Sequence, residues 1–359
     1  MTRVRDQRVG ADDAAMTALL ADLIRVPSPT GDESAMCALL AARLAANGWR
    51  DVRVVGRGNV VARHGGPGSA SALLAYVDTA PAGDMRDPFE PALIEGGAAM
   101  RGRGACTKGG LAACIAAAEA TDAAVLLIAT SDDNKGLREV LAAVPIEAER
   151  AVHAEPTDLA IGIAARGIVW LDITVRGKPV HAGRPDPSVN PLWSVGPVLD
   201  ALRRVGLGTH AELGPATIAP VDIRAERLAP LTPASVTIRV DRRLLPGESP
   251  ESARDSVADA LGGLEVEVTI VESMHPFTAD PGSSAARCLV AAAHEVRGKD
   301  AAMVALPFAT NAGLIASHGI PAIAFGPGRI ADLGADERVS LDALKTATRT
   351  LTRFLECRA

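Results

Sequence analysis

Apolar positions along the chain fall into two alternating patterns. Leu19, Leu20, Leu23 and Ile24 recur at helical spacing within residues 14–25, and Pro27, Pro29 and Gly31 end that helix. Residues 34–47 repeat the pattern with Met36, Leu39, Leu40 and Leu44, and Gly48 stands where a helix stop is expected. Short strands are predicted over 52–55 and 60–63, around the turn 56–59. Unbroken apolar runs at 70–77 and 125–130 predict buried strands. Both end in carboxylates, Asp78 after the first and Asp132 with Asp133 after the second. Between them, Gly109 and Gly110 open a helix at 111–120. A further short strand at Val152 and His153 leads to Glu155. Apolar strands alternating with helices argue a parallel α/β sheet, and sites in such sheets sit at the carboxyl ends of the strands.

The middle of the chain reads differently. Residues 167–176 alternate, with Ile168, Trp170 (beside Leu171), Ile173 and Val175 as the apolar positions. A helix at 191–205, a strand at 235–240, a helix at 250–261 and a strand at 264–271 follow. This order predicts a small α+β, ferredoxin-like domain inserted into the larger one. After Pro276 the first pattern resumes, with helix 284–296, strand 322–325 and helix 340–357 carrying Leu341, Leu344, Leu351 and Leu355. The predicted fold class is therefore α/β, with a mostly parallel central sheet over 1–163 and 276–359 and an insert at 164–275.

Composition narrows the function classes. With 359 residues and 48% apolar side chains, the chain can bury cores for about two domains and is not disordered. A net charge of −6 without a long Lys/Arg block argues against nucleic acid. The five cysteines, Cys37, Cys106, Cys114, Cys288 and Cys357, are odd in number and form no CxxC pair. Neither a disulfide framework nor a thiolate zinc site is expected from them. Residues 1–13 lack an apolar signal core, and no run reaches the ~18 apolar residues of a membrane span. No membrane partner and a cytoplasmic location are expected. There is one tyrosine, Tyr76, and there are seven histidines.

Several segments carry chemistry in a fixed order: Val26-Pro27-Ser28-Pro29-Thr30-Gly31-Asp32-Glu33, Val77-Asp78-Thr79-Ala80-Pro81, Arg101-Gly102-Arg103-Gly104-Ala105, Lys108-Gly109-Gly110 and Glu155-Pro156-Thr157. Arg176-Gly177-Lys178-Pro179-Val180-His181-Ala182, Asn190-Pro191, Leu245-Pro246-Gly247-Glu248 and Phe325-Gly326-Pro327-Gly328 complete the series. Each alone is weak, but together the chain resembles, over almost its whole length, the family of co-catalytic di-zinc amidohydrolases. That family includes acetylornithine deacetylase, succinyl-diaminopimelate desuccinylase and carboxypeptidase G. The branch it looks most similar to holds short enzymes that free lysine or ornithine from an amino-group carrier protein. The resemblance implies that the insert is a lid and dimerisation domain. It also implies two zinc ions about 3.5 Å apart, bridged by a carboxylate and a water.

This sequence departs from that pattern at the metal. The family's His-x-Asp reads Tyr76-Val77-Asp78, where the retained aspartate only orients the missing histidine. Gly-Arg-Gly-x-x-Asp-x-Lys reads Gly102-Arg103-Gly104-Ala105-Cys106-Thr107-Lys108, one residue shorter and without the bridging aspartate. The general base and next ligand, Glu-Glu in the family, read Asp133-Asn134, and an amide is a poor zinc ligand. The late histidine is absent from Arg329-Ile330-Ala331-Asp332-Leu333-Gly334. Of five ligand positions Glu155 alone is kept. His64, His210, His275, His294 and His318 fall on predicted loops, helices or turns, and His153 stands two residues before Glu155.

Other family-borne groups remain. His181 matches the lid histidine that polarises the amide oxygen across a dimer interface, with Asn190 as its helper. Arg243 matches an arginine that binds a substrate carboxylate, the alternative being a surface ion pair. Asn311 replaces the aspartate of a specificity motif, and Cys106, Lys108, Asn134 and Gly326 join the expected substrate-binding positions. The expected catalytic set is Tyr76, Asp78, Asp133, Glu155 and His181. Gathered carboxylates without a metal raise one another's pKa and make serviceable general bases. The reading is a metal-independent, cofactor-free, repurposed homologue working by acid–base chemistry such as ring closure or acyl or proton transfer. Its substrate is amino-acid-derived, free or on an acidic amino-group carrier protein, and the chain is a homodimer through the lid or a heteromer with a pathway enzyme. The alternatives are a non-catalytic subunit or decayed site, four carboxylates around a hard cation such as magnesium, and a residual amidohydrolase with one weakly held metal. Residues 163–275 carry 12 Lys and Arg against 14 Asp and Glu, which gives no overall basic face for an acidic carrier.

Overall fold

The computed structural model describes residues 2–131, 135–226 and 229–358, with residues 2–12 as backbone only. Asp132, Asp133 and Asn134 lie outside the described residues. The chain forms two compact units, one of residues 1–163, 279–304 and 314–359, the other of 164–278 and 305–313.

The first unit opens with helices α1 (Thr2–Arg25) and α2 (Ser34–Ala46), then strands β1 (Arg50–Val55), β2 (Asn59–His64) and β3 (Ser71–Tyr76). Helix α3 (Ala105–Glu119), strand β4 (Val125–Thr130), helix α4 (Lys135–Ala143) and strands β5 (Arg150–His153) and β6 (Ile161–Ala165) follow. In the second unit come β7 (Gly167–Arg176), α5 (Val195–Leu202), β8 (Thr217–Ala225), β9 (Ser235–Leu244), α6 (Pro250–Ala260) and β10 (Val266–Met274). The chain then returns to the first unit with α7 (Ser284–Arg297), β11 (Ala322–Ala324) and α8 (Leu341–Glu356).

The large sheet runs β1-β2-β4-β3-β5-β11-β6. Its centre is parallel, with β3 between β4 and β5 and β11 beside β5. β3 and β4 are buried at every position, which explains their unbroken apolar sequences. Helix α3 is buried almost all round, because Ala, Gly and Cys side chains let it sit between the sheet and its neighbours. α1 contributes Met16, Leu19, Leu20, Leu23 and Ile24 to this core, and α8 contributes Leu344, Leu351, Phe354 and Leu355. Each fully buried leucine of this kind stabilises the fold by ~1.5–3 kcal/mol. Ser340 caps α8 by accepting from the Ala343 amide.

Cys288 on α7 is bonded to Cys357 just after α8, with Cα atoms 5.8 Å apart. The odd count predicted no such framework. The fold brings together two cysteines 69 residues apart, a proximity that spacing along the chain does not encode. Cys37, Cys106 and Cys114 are free and buried.

The second unit is an antiparallel sheet in the order β8-β9-β7-β10. Its core takes Val169, Leu171, Ile173 and Val175 from β7 and Val198, Leu202 and Val257 from α5 and α6. The alternation of β7 therefore starts on the other phase from that predicted. Trp170 is on the exposed face, where its indole N–H donates to Asp241 at 3.1 Å. No helix among the described residues is long and apolar enough to cross a membrane.

Candidate functional site

The register of the parallel strands builds the centre of the site. Leu74 on β3 lies opposite His153 on β5, and the Ala154 amide donates to the Leu74 carbonyl. Two residues further along each chain, Tyr76 and Glu155 come level at the carboxyl ends of the strands. Side chains two apart share a face, so Tyr76, His153 and Glu155 project together. The Tyr76 hydroxyl donates to Glu155 Oε1 at 2.8 Å, and His153 Nδ1 lies 2.9 Å from the same oxygen. The tyrosine and histidine rings pack edge to face with centroids 4.7 Å apart. All three are buried, at 3%, 1% and 3% exposure for Tyr76, His153 and Glu155. A buried carboxylate needs donors, and here a phenol and an imidazole are placed to supply them.

Asp78, also buried, continues from β3. Its Oδ2 accepts from Thr30 Oγ1 at 2.6 Å. The Ser28–Thr30 segment is fixed there by main-chain bonds, Thr79 N to Ser28 O at 2.8 Å and Thr30 N to Thr79 O at 3.2 Å. The proline-rich motif thus serves to hold the Asp78 loop.

At the amino end of α3 the anionic group is Glu337. Its carboxylate accepts from the Gly104 amide at 2.9 Å, the Cys106 amide at 3.0 Å and Arg103 Nη1 at 3.1 Å. This satisfies free amides of the helix start and complements its dipole. Cys106 turns its thiol to the Arg338 carbonyl at 3.0 Å, and burial pushes that thiol up to about 12. Lys108, expected to face substrate, is fully buried. Its Nζ donates to the carbonyls of Leu23 at 2.9 Å, in the last turn of α1, and Val26 at 2.8 Å, just after it. Burial pulls its pKa from 10.5 to about 7, against the smaller opposing pull of Glu337 and Asp78. Gly326 lies on the Glu155 backbone, where an added Cβ would fall 2.4 Å from the Glu155 carbonyl oxygen. Its place is to let β11's continuation approach the strand end. Thr157 Oγ1 ties the two segments by accepting from the Gly326 amide at 3.0 Å.

The remaining expected positions belong to the second unit. His181 is exposed, and its Nδ1 accepts from the Gly183 amide at 3.0 Å. Asn190 caps the short turn Pro191–Ser194 by accepting from the Leu192 amide. Arg243 takes the ion-pair alternative, with Nε and Nη2 on the Asp241 carboxylate at 2.8 and 3.0 Å. Asn311 is fully buried, and among the described residues neither its amide nitrogen nor its oxygen has a hydrogen-bond partner.

Among the described residues, the donor set does not supply the ligands that a pair of zinc ions needs. Tyr76 stands where the first ligand is required and directs its proton to the one retained ligand, Glu155. Cys106 turns its thiol to a backbone carbonyl, and burial there disfavours the thiolate that a metal would need. Among the described residues, no group of three or more His, Cys, Asp and Glu is placed to hold a metal ion. Sequence reasoning missed Glu337, whose partner amide at Cys106 lies 231 residues away. Nothing local marks it, since an acidic residue before a short strand is ordinary.

Comparison with known proteins agrees with this architecture. The chain is 29% identical over 372 residues to succinyl-diaminopimelate desuccinylase of Dinoroseobacter shibae, covering 94% of this chain and 97% of that one. It is 28% identical over 291 residues to acetylornithine deacetylase of Myxococcus xanthus, covering 76% of each. Among solved structures, the M20 family metallo-carboxypeptidase Sso-CP2 of Sulfolobus solfataricus superposes with a TM-score of 0.78 at 15% identity, over 95% of this chain and 98% of that one. The dinuclear metal-binding M20 peptidase YXEP of Bacillus subtilis gives 0.69 at 16% identity, over 96% and 98%. The model of peptidase family M20/M25/M40 matches residues 72–356, and the chain belongs to that family.

Proposed function

We propose that this chain is a repurposed member of its family that acts on an amino-acid-derived substrate without the metal pair, by acid–base chemistry at Glu155. The observation that carries the reading is the buried Tyr76–Glu155–His153 set in place of the metal ligands. A carboxylate so held can take a proton from substrate, and the tyrosine O–H can donate to a developing oxyanion. His153 meets the same carboxylate oxygen and helps to orient it. Asp78 and Asp133 are further members of the proposed catalytic set, and His181 is proposed to serve it from a second copy of the chain, with a small substrate that is free or carried on an acidic protein. The desuccinylase and deacetylase relatives support an N-acylated amino acid as the substrate class. A homodimer through the second unit is the proposed assembly.

A second reading, a non-catalytic binding subunit, draws support from the way Tyr76 and His153 both turn to one buried Glu155 oxygen. The two readings separate on a panel of N-acyl amino acids. Turnover that persists after chelation and falls at least ~100-fold in Glu155→Gln supports catalysis at this carboxylate. Binding without turnover supports the subunit reading. Near one equivalent of tightly bound zinc in the purified protein, with turnover lost on its removal, overturns the metal-independent proposal.

A further inference from the structure

We propose that the Cys288–Cys357 disulfide is a thiol-exchange site, at which a small thiol attacks Cys357 and Cys288 leaves as a thiolate held by Arg150. Three observations meet there. First, the two sulfurs differ in access. Cys288 is buried on α7, whereas Cys357 is partly exposed and lines a hollow of about 890 Å³ at the amino ends of β3, β4 and β5. That volume accepts a small molecule. The hollow is predominantly polar, with Ser71, Glu149, Arg150 and Arg358 on its walls.

Second, Arg150 is buried beside the inner sulfur. Its Nη1 lies 3.0 Å from Cys288 Sγ, and its Nε donates to Ser71 Oγ at 3.0 Å. Its Nη2 donates to the carbonyls of Cys357 at 2.5 Å and Phe354 at 3.3 Å, while the guanidinium stacks over the Phe354 ring. Among the described residues every one of these acceptors is neutral. The acidic neighbour whose field it feels, Glu149, is exposed at the rim. A buried cation with no anionic partner in hydrogen-bond reach among the described residues, and with a sulfur at that distance, stabilises a thiolate on that sulfur. A stabilised thiolate is also the better leaving group in exchange.

Third, the other thiols are out of play. Burial pushes Cys37, Cys106 and Cys114 each up to about 12. They neither compete for the incoming thiol nor reshuffle the bond.

The steps balance. An external thiol loses its proton to solvent, its thiolate bonds to Cys357 Sγ, and the Cys288–Cys357 bond breaks with the electron pair on Cys288. A second thiolate attacks the external sulfur of the mixed disulfide. It forms the external disulfide and releases Cys357 as a thiolate that takes a proton. Two thiols are oxidised and one disulfide is reduced.

The test uses the full chain and glutathione as the probe, with acid quenching and mass mapping of the trapped species. The expected result after exchange under native conditions is glutathione on Cys357 and a free thiol at Cys288, alkylated once the quenched chain is unfolded, with exchange slowed about tenfold or more in Arg150→Met. Glutathione on Cys288, or a disulfide that reacts only after unfolding, overturns the proposal. If Arg150→Met fails to fold, Cys357→Ser decides, because Cys288 is then the single thiol outside the group at about 12. Its ultraviolet thiolate absorbance should appear below the ordinary cysteine range of about 8.5. A titration at or above that range overturns the role of Arg150.

Discussion

Lys108 makes the stability of this fold depend on pH in a direction opposite to that of a salt-bridged lysine. The side chain is fully buried, and its two resolved acceptors are main-chain carbonyls, so the ammonium form is penalised in the folded state. Between about 7, its folded value, and 10.5, its ordinary one, the unfolded chain binds more protons than the folded one. Stability from this group is therefore fully present above 10.5 and is lost as pH falls towards 7. Integrating the two titrations from about pH 7 to about pH 9.5 gives a gain on the order of 3 kcal/mol. Lys108→Met removes the titration and also leaves the Leu23 and Val26 carbonyls without this donor, at ~1–3 kcal/mol each. Urea denaturation of both proteins across that pH range is the assay. The deficit of the variant should widen by on the order of 3 kcal/mol as pH rises, while other ionisations cancel in the difference. A deficit constant to within about 0.5 kcal/mol, or one that shrinks with rising pH, refutes the reasoning.

Three further outcomes follow from the same geometry. Tyr76→Phe removes a buried donor to Glu155 and should lower stability by ~1.5–3 kcal/mol. That is a drop of about 3–6 °C in the thermal midpoint, and an unchanged midpoint would show that the hydroxyl does not serve the carboxylate. Gly326→Ala forces a Cβ onto the Glu155 carbonyl and should cost ~1–3 kcal/mol, read by the same denaturation assay. Reducing the 288–357 bond releases a closure of 69 residues, ~4 kcal/mol in the chain-entropy account. Calorimetry with and without reductant should show the transition about 10 °C lower.

What could be read from the chain follows from the range of the interactions. The buried runs at 70–77 and 125–130 declare themselves because strands covered on both faces need apolar residues throughout. Tyr76 and Glu155 could be placed because each ends such a run, and strand register then makes them neighbours. Trp170 could not be assigned a face from alternation alone, since its neighbours on both phases are apolar. Lys108 and Cys106 sit in a motif whose spacing suggested a role in binding, yet their partners are carbonyls on α1 and beside Glu337. Arg243 offered two readings, and only the coordinates of Asp241 separate them. The disulfide depends on α7 and α8 lying side by side, which no local pattern specifies.

The discontinuity of the first unit orders events on the ribosome. β11 pairs beside β5, and Glu337 closes the start of α3, so β5 lacks its second parallel neighbour until residue 324 has been synthesised and α3 lacks its closing carboxylate until residue 337. The antiparallel sheet of the second unit is built from residues 167–274 alone. Its strand pairings are complete while the larger sheet still waits for its last parallel strand and the larger unit for its closing helices. The four-stranded sheet can thus form before the larger sheet is finished. The open edge of β5 is exposed during that interval, and nascent chains of this protein are most open to mispairing there.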